Sequence, residues 1–170
     1  NWSATALGET VSWAATVGWH RGDGSFTVQK LTLNGADYGL ALDGHIAGIG
    51  AAFALSGTAE VSADDLSRFA GIVGQPIGGA GKIAISGSGS PLTGAFDVQA
   101  KVQGTDLRSG LAQADAALRG ASVLTASVKR DTSGTQLRSL HVATATVTAA
   151  ASGSLASAGS EINAAVSVSD

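Results

Sequence analysis

The chain has no cysteine, which excludes disulfides and thiolate metal sites. It has only two prolines and few aromatics: three Trp, one Tyr and four Phe in 170 residues. Apolar residues make up 44 %, but much of that is Ala, and there are 24 Gly. Such side chains bury little area each, so at roughly 25 cal/mol per Å² a compact core would be thin. Charge of one sign is also scarce. The net charge is −3, and Lys82, Lys101, Lys129 and Arg130 are scattered, unlike the clustered footprint of a nucleic-acid binder. The longest apolar run, Ile46 to Leu55, is about half of what a membrane-spanning helix needs. No signal peptide is visible. The chain starts at Asn1 and ends in mid-pattern at Ser169-Asp170, and reads as an excised fragment: one segment, 1–170, of a longer repetitive domain.

What is present is period-two alternation. Val11, Trp13, Ala15, Val17 and Trp19 share one face of a strand, and Arg21-Gly22-Asp23-Gly24 reads as a turn. Phe26 and Val28 open the next strand, then the phase changes at Lys30-Leu31, where Leu31 and Leu33 take over. A β-bulge explains that shift. Asn34-Gly35 is a hairpin signal. Tyr38, Leu40 and Leu42 follow, with a turn at Asp43-Gly44. Ile49, Ala51, Phe53 and Leu55 form a strand ended by Ser56-Gly57. Ile83 and Ile85 alternate with Lys82, Ala84 and Ser86, and Gly87 to Pro91 reads as a turn. Phe96, Val98, Ala100 and Val102 alternate with Asp97, Gln99, Lys101 and Gln103 in the cleanest two-faced strand. Thr105 to Leu118 fits either a helix or a turn plus strand. Leu124, Ala126 and Val128 lead to a turn at Arg130 to Gly134. Leu140 to Ala151 reads as one strand followed by a turn at Ser152-Gly153, and Ile162, Ala164, Val166 and Val168 close the pattern.

One segment departs from it. Leu66, Phe69, Ile72 and Val73 recur at helical spacing, with Asp64 as N-cap, Gly74 just past the end and Pro76 beyond. This predicts a short amphipathic helix near 64–74 that packs on the sheet through those four residues.

Motifs for catalysis are missing. His20, His45 and His141 match no metal-ligand spacing. Gly81-Lys82 is followed by Ile83 where a P-loop needs Ser or Thr, and Gly48-Ile49-Gly50 lacks the third Gly of a dinucleotide fingerprint. No Ser lies in a Gly-x-Ser-x-Gly elbow. The pairs Asp64-Asp65 and Asp23/Asp43 suit capping and turns. Asn1-Trp2-Ser3 is formally a glycosylation sequon. The expectation is a non-enzyme without cofactor or metal.

Asp64-Asp65-Leu66-Ser67-Arg68-Phe69-Ala70-Gly71 and Gly78-Gly79-Ala80-Gly81-Lys82-Ile83-Ala84-Ile85-Ser86-Gly87-Ser88 resemble the translocation and assembly module proteins of the TamB type. So do Asp115-Ala116-Ala117-Leu118-Arg119-Gly120, Lys129-Arg130-Asp131 with Gly134, the positions Leu137, Leu140 and Val142, and Ala151-Ser152-Gly153-Ser154-Leu155. The likeness covers Ala63 to Asp170 and has the flavour of alphaproteobacterial members. It implies the AsmA-like superfamily: long periplasmic proteins anchored in the inner membrane, reaching towards the outer membrane through a repeated β-groove that is apolar inside and polar outside. Two roles go with that family, phospholipid passage between the membranes and assembly of outer-membrane β-barrels or autotransporters with a barrel partner.

The fold expectation is therefore all-β: an elongated, curved antiparallel sheet forming a U-shaped groove with an apolar concave face. Periodicity alone favours an ordinary β-sandwich core. The residues expected to line the groove against phospholipid acyl chains are Val11, Trp13, Val17, Phe26, Val28, Ile83, Ile85, Phe96, Val98, Val102, Leu124, Val128, Ile162, Val166 and Val168. Alternative expectations are a scaffold for outer-membrane protein assembly, and a secreted structural β-solenoid with a closed, dry core.

Overall fold

The structure is a computed structural model that describes residues 10–47, 53–156 and 159–169. Ten antiparallel strands form one open, uncurled sheet. They are β1 (Ser12–His20), β2 (Ser25–Asn34), β3 (Tyr38–Ala47), β4 (Ala54–Ala63), β5 (Gly78–Ser90), β6 (Ala95–Arg108), β7 (Ala121–Asp131), β8 (Gly134–Ala143), β9 (Val147–Ala156) and β10 (Gly159–Val168). Their order in the sheet is their order in the chain, so each strand pairs with its sequence neighbours and β1 and β10 are the edges. The all-β antiparallel fold agrees with the sequence reading. The sandwich does not: no second sheet faces the first among the described residues, and Ala63 is their only buried apolar side chain.

A short helical insertion joins β4 to β5. It is a 3₁₀ turn, Leu66–Phe69, continued by one α-helical turn, α1 (Ala70–Val73). Its N-cap is Asp65 rather than Asp64. The Asp65 carboxylate accepts from the Ser67 N–H at 2.9 Å, and the Ser67 hydroxyl and N–H together lower its pKa, while the Asp64 N–H donates to the Asp37 carbonyl. Gly74 closes α1 in the left-handed conformation, at φ 73°. Leu66 lies against Gly81, and the Phe69 ring meets Tyr38 edge to face at 5.6 Å. Arg68 pairs with Asp37 at 2.8 Å and lies over the Tyr38 ring. Of the four residues expected to pack on the sheet, Leu66 and Phe69 make these contacts; the Ile72 and Val73 side chains lie outside the described residues. The ambiguous stretch 105–118 is both things: β6 runs on to Arg108, and α2 (Ala112–Ala117) follows.

Several predicted turns are strand interior. Asp43-Gly44, Ser56-Gly57, Gly87 to Ser90 and Ser152-Gly153 lie within β3, β4, β5 and β9. Glycine at these points serves close backbone approach, not chain reversal. A Cβ at Gly57 would fall 2.3 Å from the Asp43 carbonyl oxygen, one at Gly87 2.4 Å from that of Asp97, and one at Gly153 2.2 Å from that of Glu161. Conversely, the stretch Leu140 to Ala151 contains a turn that no glycine marks. The Thr144 hydroxyl accepts from the Thr146 and Val147 N–H groups at 3.3 and 3.0 Å, and β8 ends there. At the predicted Arg130–Gly134 turn, Asp131 accepts from the Ser133 hydroxyl, pairs with Lys129 at 3.0 Å and accepts from the Ser133 N–H, which together hold its pKa down to about 2. Ile49 and Ala51 lie outside the described residues, as do Gly48-Ile49-Gly50 and the Asn1-Trp2-Ser3 sequon.

The phase change in β2 is a bulge. Gln29 and Lys30 separate Val28 from Leu31, which pair with Gly44 and Leu42 on β3. A second bulge sits at Arg138-Ser139 in β8, between Leu137 and Leu140. Each bulge absorbs one residue and restores the alternation beyond it.

Candidate functional site: a continuous apolar sheet face

Because residues directly opposite one another in a sheet share a face, the register fixes which side chains lie together. One row crosses all ten strands as Val17, Val28, Gly44, Gly57, Gly87, Val98, Val128, Leu137, Gly153 and Ile162. The row beyond it on the same face runs Ala15, Leu31, Leu42, Ala59, Ile85, Ala100, Ala126, Leu140, Ala151 and Ala164. Next comes Trp13, Leu33, Leu40, Val61, Ile83, Val102, Leu124, Val142, Ala149 and Val166, a row with no polar side chain. On the other side of the glycine-containing row lie Trp19, Phe26, Ile46, Leu55, Gly89, Phe96, Arg130, Thr135, Leu155 and Ser160. Without the two bulges, Leu31 and Leu33 or Leu140 and Val142 would turn to the other side.

The opposite face is polar. Its rows include Thr27, His45, Ser56, Ser88, Asp97, Lys129 and Gln136 in direct succession. Thr27 hydrogen-bonds to His45 Nδ1 at 3.1 Å, Lys82 pairs with Glu60 at 2.7 Å, and Arg138 pairs with Asp97. Exposed ion pairs of this kind contribute about 0–1 kcal/mol each, so they serve solubility and register more than stability.

The apolar face has little cover. Trp13 is 74 % exposed and Val166 69 %, and Trp19 meets Phe26 with ring centroids 4.1 Å apart and planes tilted by 46° while remaining half exposed. Among the described residues only one end is covered, where Leu66 and Leu107 lie over Gly81 and Gly104. Over β3–β6 the face carries a depression of about 520 Å³. Its floor includes Gly44, Gly57, Gly87 and Gly89, where side chains are missing; Val28, Leu42, Ile46, Ile85, Phe96 and Val98 wall it. The lining is overwhelmingly apolar.

The register brings together on this one face all the residues expected to line a groove except Val11, which precedes β1 and is half-buried. Trp13, Val17, Phe26, Val28, Ile83, Ile85, Phe96, Val98, Val102, Leu124, Val128, Ile162 and Val166 lie in the four rows, and Val168 pairs with Val147 beyond them. Sequence reasoning missed the glycine floor, because strand glycines and turn glycines look alike in one dimension. It also left out Leu137, Leu140 and Val142, whose spacing of three between the first two marks the second bulge. Arg130, a turn residue by its sequence context, shares the apolar face.

Among the described residues there is no group of His, Cys, Asp and Glu able to hold a metal ion, and no helix long and apolar enough to cross a membrane. No protein-family model, no curated protein and no solved structure matches the chain.

Proposed function

We propose that the chain is a section of a periplasmic, bridge-like protein of the TamB type that conducts phospholipids between the inner and outer membranes, with acyl chains lying on the apolar sheet face. One observation carries this reading: four side-chain rows cross all ten strands on a largely uncovered face, and a polar face backs them. A contiguous apolar surface of this extent is costly in water and marks a ligand or partner site. A closed, dry core, the mark of a structural β-solenoid, has no counterpart among the described residues. Anchoring in the inner membrane and contact with a barrel partner belong to the proposal through the family resemblance alone.

Photo-crosslinkers test it. Placed at Phe96, Val98 or Val166, they are expected to capture phospholipid; placed at Gln99 or Lys101 on the polar face, they are not. Equal capture from both faces sinks the conduit.

A second reading, a scaffold for outer-membrane β-barrel or autotransporter assembly, draws on a different observation. Among the described residues, the outer strands β1 and β10 each pair on one side only, and every residue of β10 is exposed. Such an edge can accept an incoming strand by β-augmentation.

A further inference from the structure

In the four rows of the apolar face, Arg130 is the only charged residue. Its neighbours in sequence, Lys129 and Asp131, pair with each other at 3.0 Å. Arg130 itself is exposed and has no ion-pair or hydrogen-bond partner among the described residues. A lone guanidinium on an oily face presents an unneutralised charge with a planar donor fork suited to phosphate. Its place is specific. Arg130 stands directly opposite Phe96, and Phe96 walls the glycine-floored depression. It also lies next to the β7–β8 turn, so its head group reaches water at the rim of the sheet. The depression spans β3–β6, three strand intervals or about 14 Å at the usual spacing. Its volume falls within the range of about 300–1,000 Å³ typical of small-ligand pockets. An apolar slot beside one rim cation matches the charge layout of an anionic amphiphile.

We propose that this face seats an anionic phospholipid, with an acyl chain in the glycine-floored depression and the phosphate at Arg130. The proposal rests on the lipid reading above and adds a head-group preference to it.

The test uses the purified chain incubated with vesicles of phosphatidylglycerol or of phosphatidylcholine, with bound lipid quantified by mass spectrometry. Wild type is expected to take up phosphatidylglycerol over phosphatidylcholine by about tenfold, because both lipids offer Arg130 a phosphate but the choline ammonium of phosphatidylcholine offsets its charge, and a tenfold ratio is only about 1.4 kcal/mol. Arg130→Gln brings the ratio to about one. Lys129→Gln, which removes a neighbouring charge from the opposite face, keeps the wild-type ratio. Ile85→Asp, at the wall of the depression, lowers uptake of both lipids. Uptake of both lipids at equal levels by wild type overturns the head-group assignment and leaves the conduit standing. A preference that survives Arg130→Gln, or disappears equally in Lys129→Gln, also overturns it. Uptake of neither lipid overturns the proposal together with the conduit.

Discussion

At the residue scale, glycine within the strands shows two effects in competition. Strand propensity favours valine over glycine by up to about 1 kcal/mol. Packing opposes it at Gly87, where a Cβ would lie 2.4 Å from the Asp97 carbonyl oxygen and 3.0 Å from the Val98 Cα. Backbone atoms cannot step aside as a flexible side chain can, so β5 and β6 must separate. Gly87→Val is therefore expected to destabilise the protein by about 1–3 kcal/mol in urea unfolding, despite the better strand former. Gly22 is the comparison: nothing lies within 4 Å of its Cβ position, and Gly22→Ala is expected to change little. Equal effects at both sites would show that close approach does not set the glycine positions. The same close approach explains why these residues were misread as turns. Asp43-Gly44 and Ser152-Gly153 have turn composition, and only the strand opposite reveals that a side chain has no room there.

At the element scale, most of the fold was legible. Alternation located nearly every strand, and the phase change between Val28 and Leu31 announced the β2 bulge. The β8–β9 turn was not legible, because the Thr144 hydroxyl does there what a glycine or proline usually signals. Edges cannot be read from alternation at all, since an edge strand has the same period as an interior one. Among the described residues β10 is such an edge: ten residues, Gly159 to Val168, exposed throughout and lacking the proline or lysine that commonly guards an edge. Successive N–H groups alternate between the β9 side and the open side. Of Ala164→Pro and Ala165→Pro, one therefore removes an outward N–H while sparing the β9 ladder, and the variant that retains the wild-type circular dichroism identifies itself. If the edge receives client strands, that variant loses binding to an unfolded outer-membrane β-barrel protein and keeps its lipid uptake. Retained client binding removes the β10 edge from the scaffold reading.

At the scale of the whole molecule, register does what no single strand can. One slip of one residue in any hairpin would send the apolar residues beyond it to the polar side, yet the rows stay unbroken from β1 to β10 across two bulges. Maintaining such rows without a second layer to bury them costs solubility, and that cost is offset only if something apolar occupies the face. Val98 tests this at the middle of the sheet, within the glycine-containing row and at the wall of the depression. A carboxylate there must keep its water shell, which an acyl chain lying along the row would strip away. Val98→Asp is expected to lower lipid uptake by roughly tenfold or more, in line with the cost of about 2.5–3.5 kcal/mol for a charge amid lipid. Gln99→Asp, one residue along on the polar face, adds the same charge to the same strand and is expected to leave uptake near the wild-type level. Both variants need only match wild type in unfolding midpoint for the comparison to count. Equal loss in the two would mean that net charge, not the face, governs uptake, and the continuity of the rows would then need another explanation.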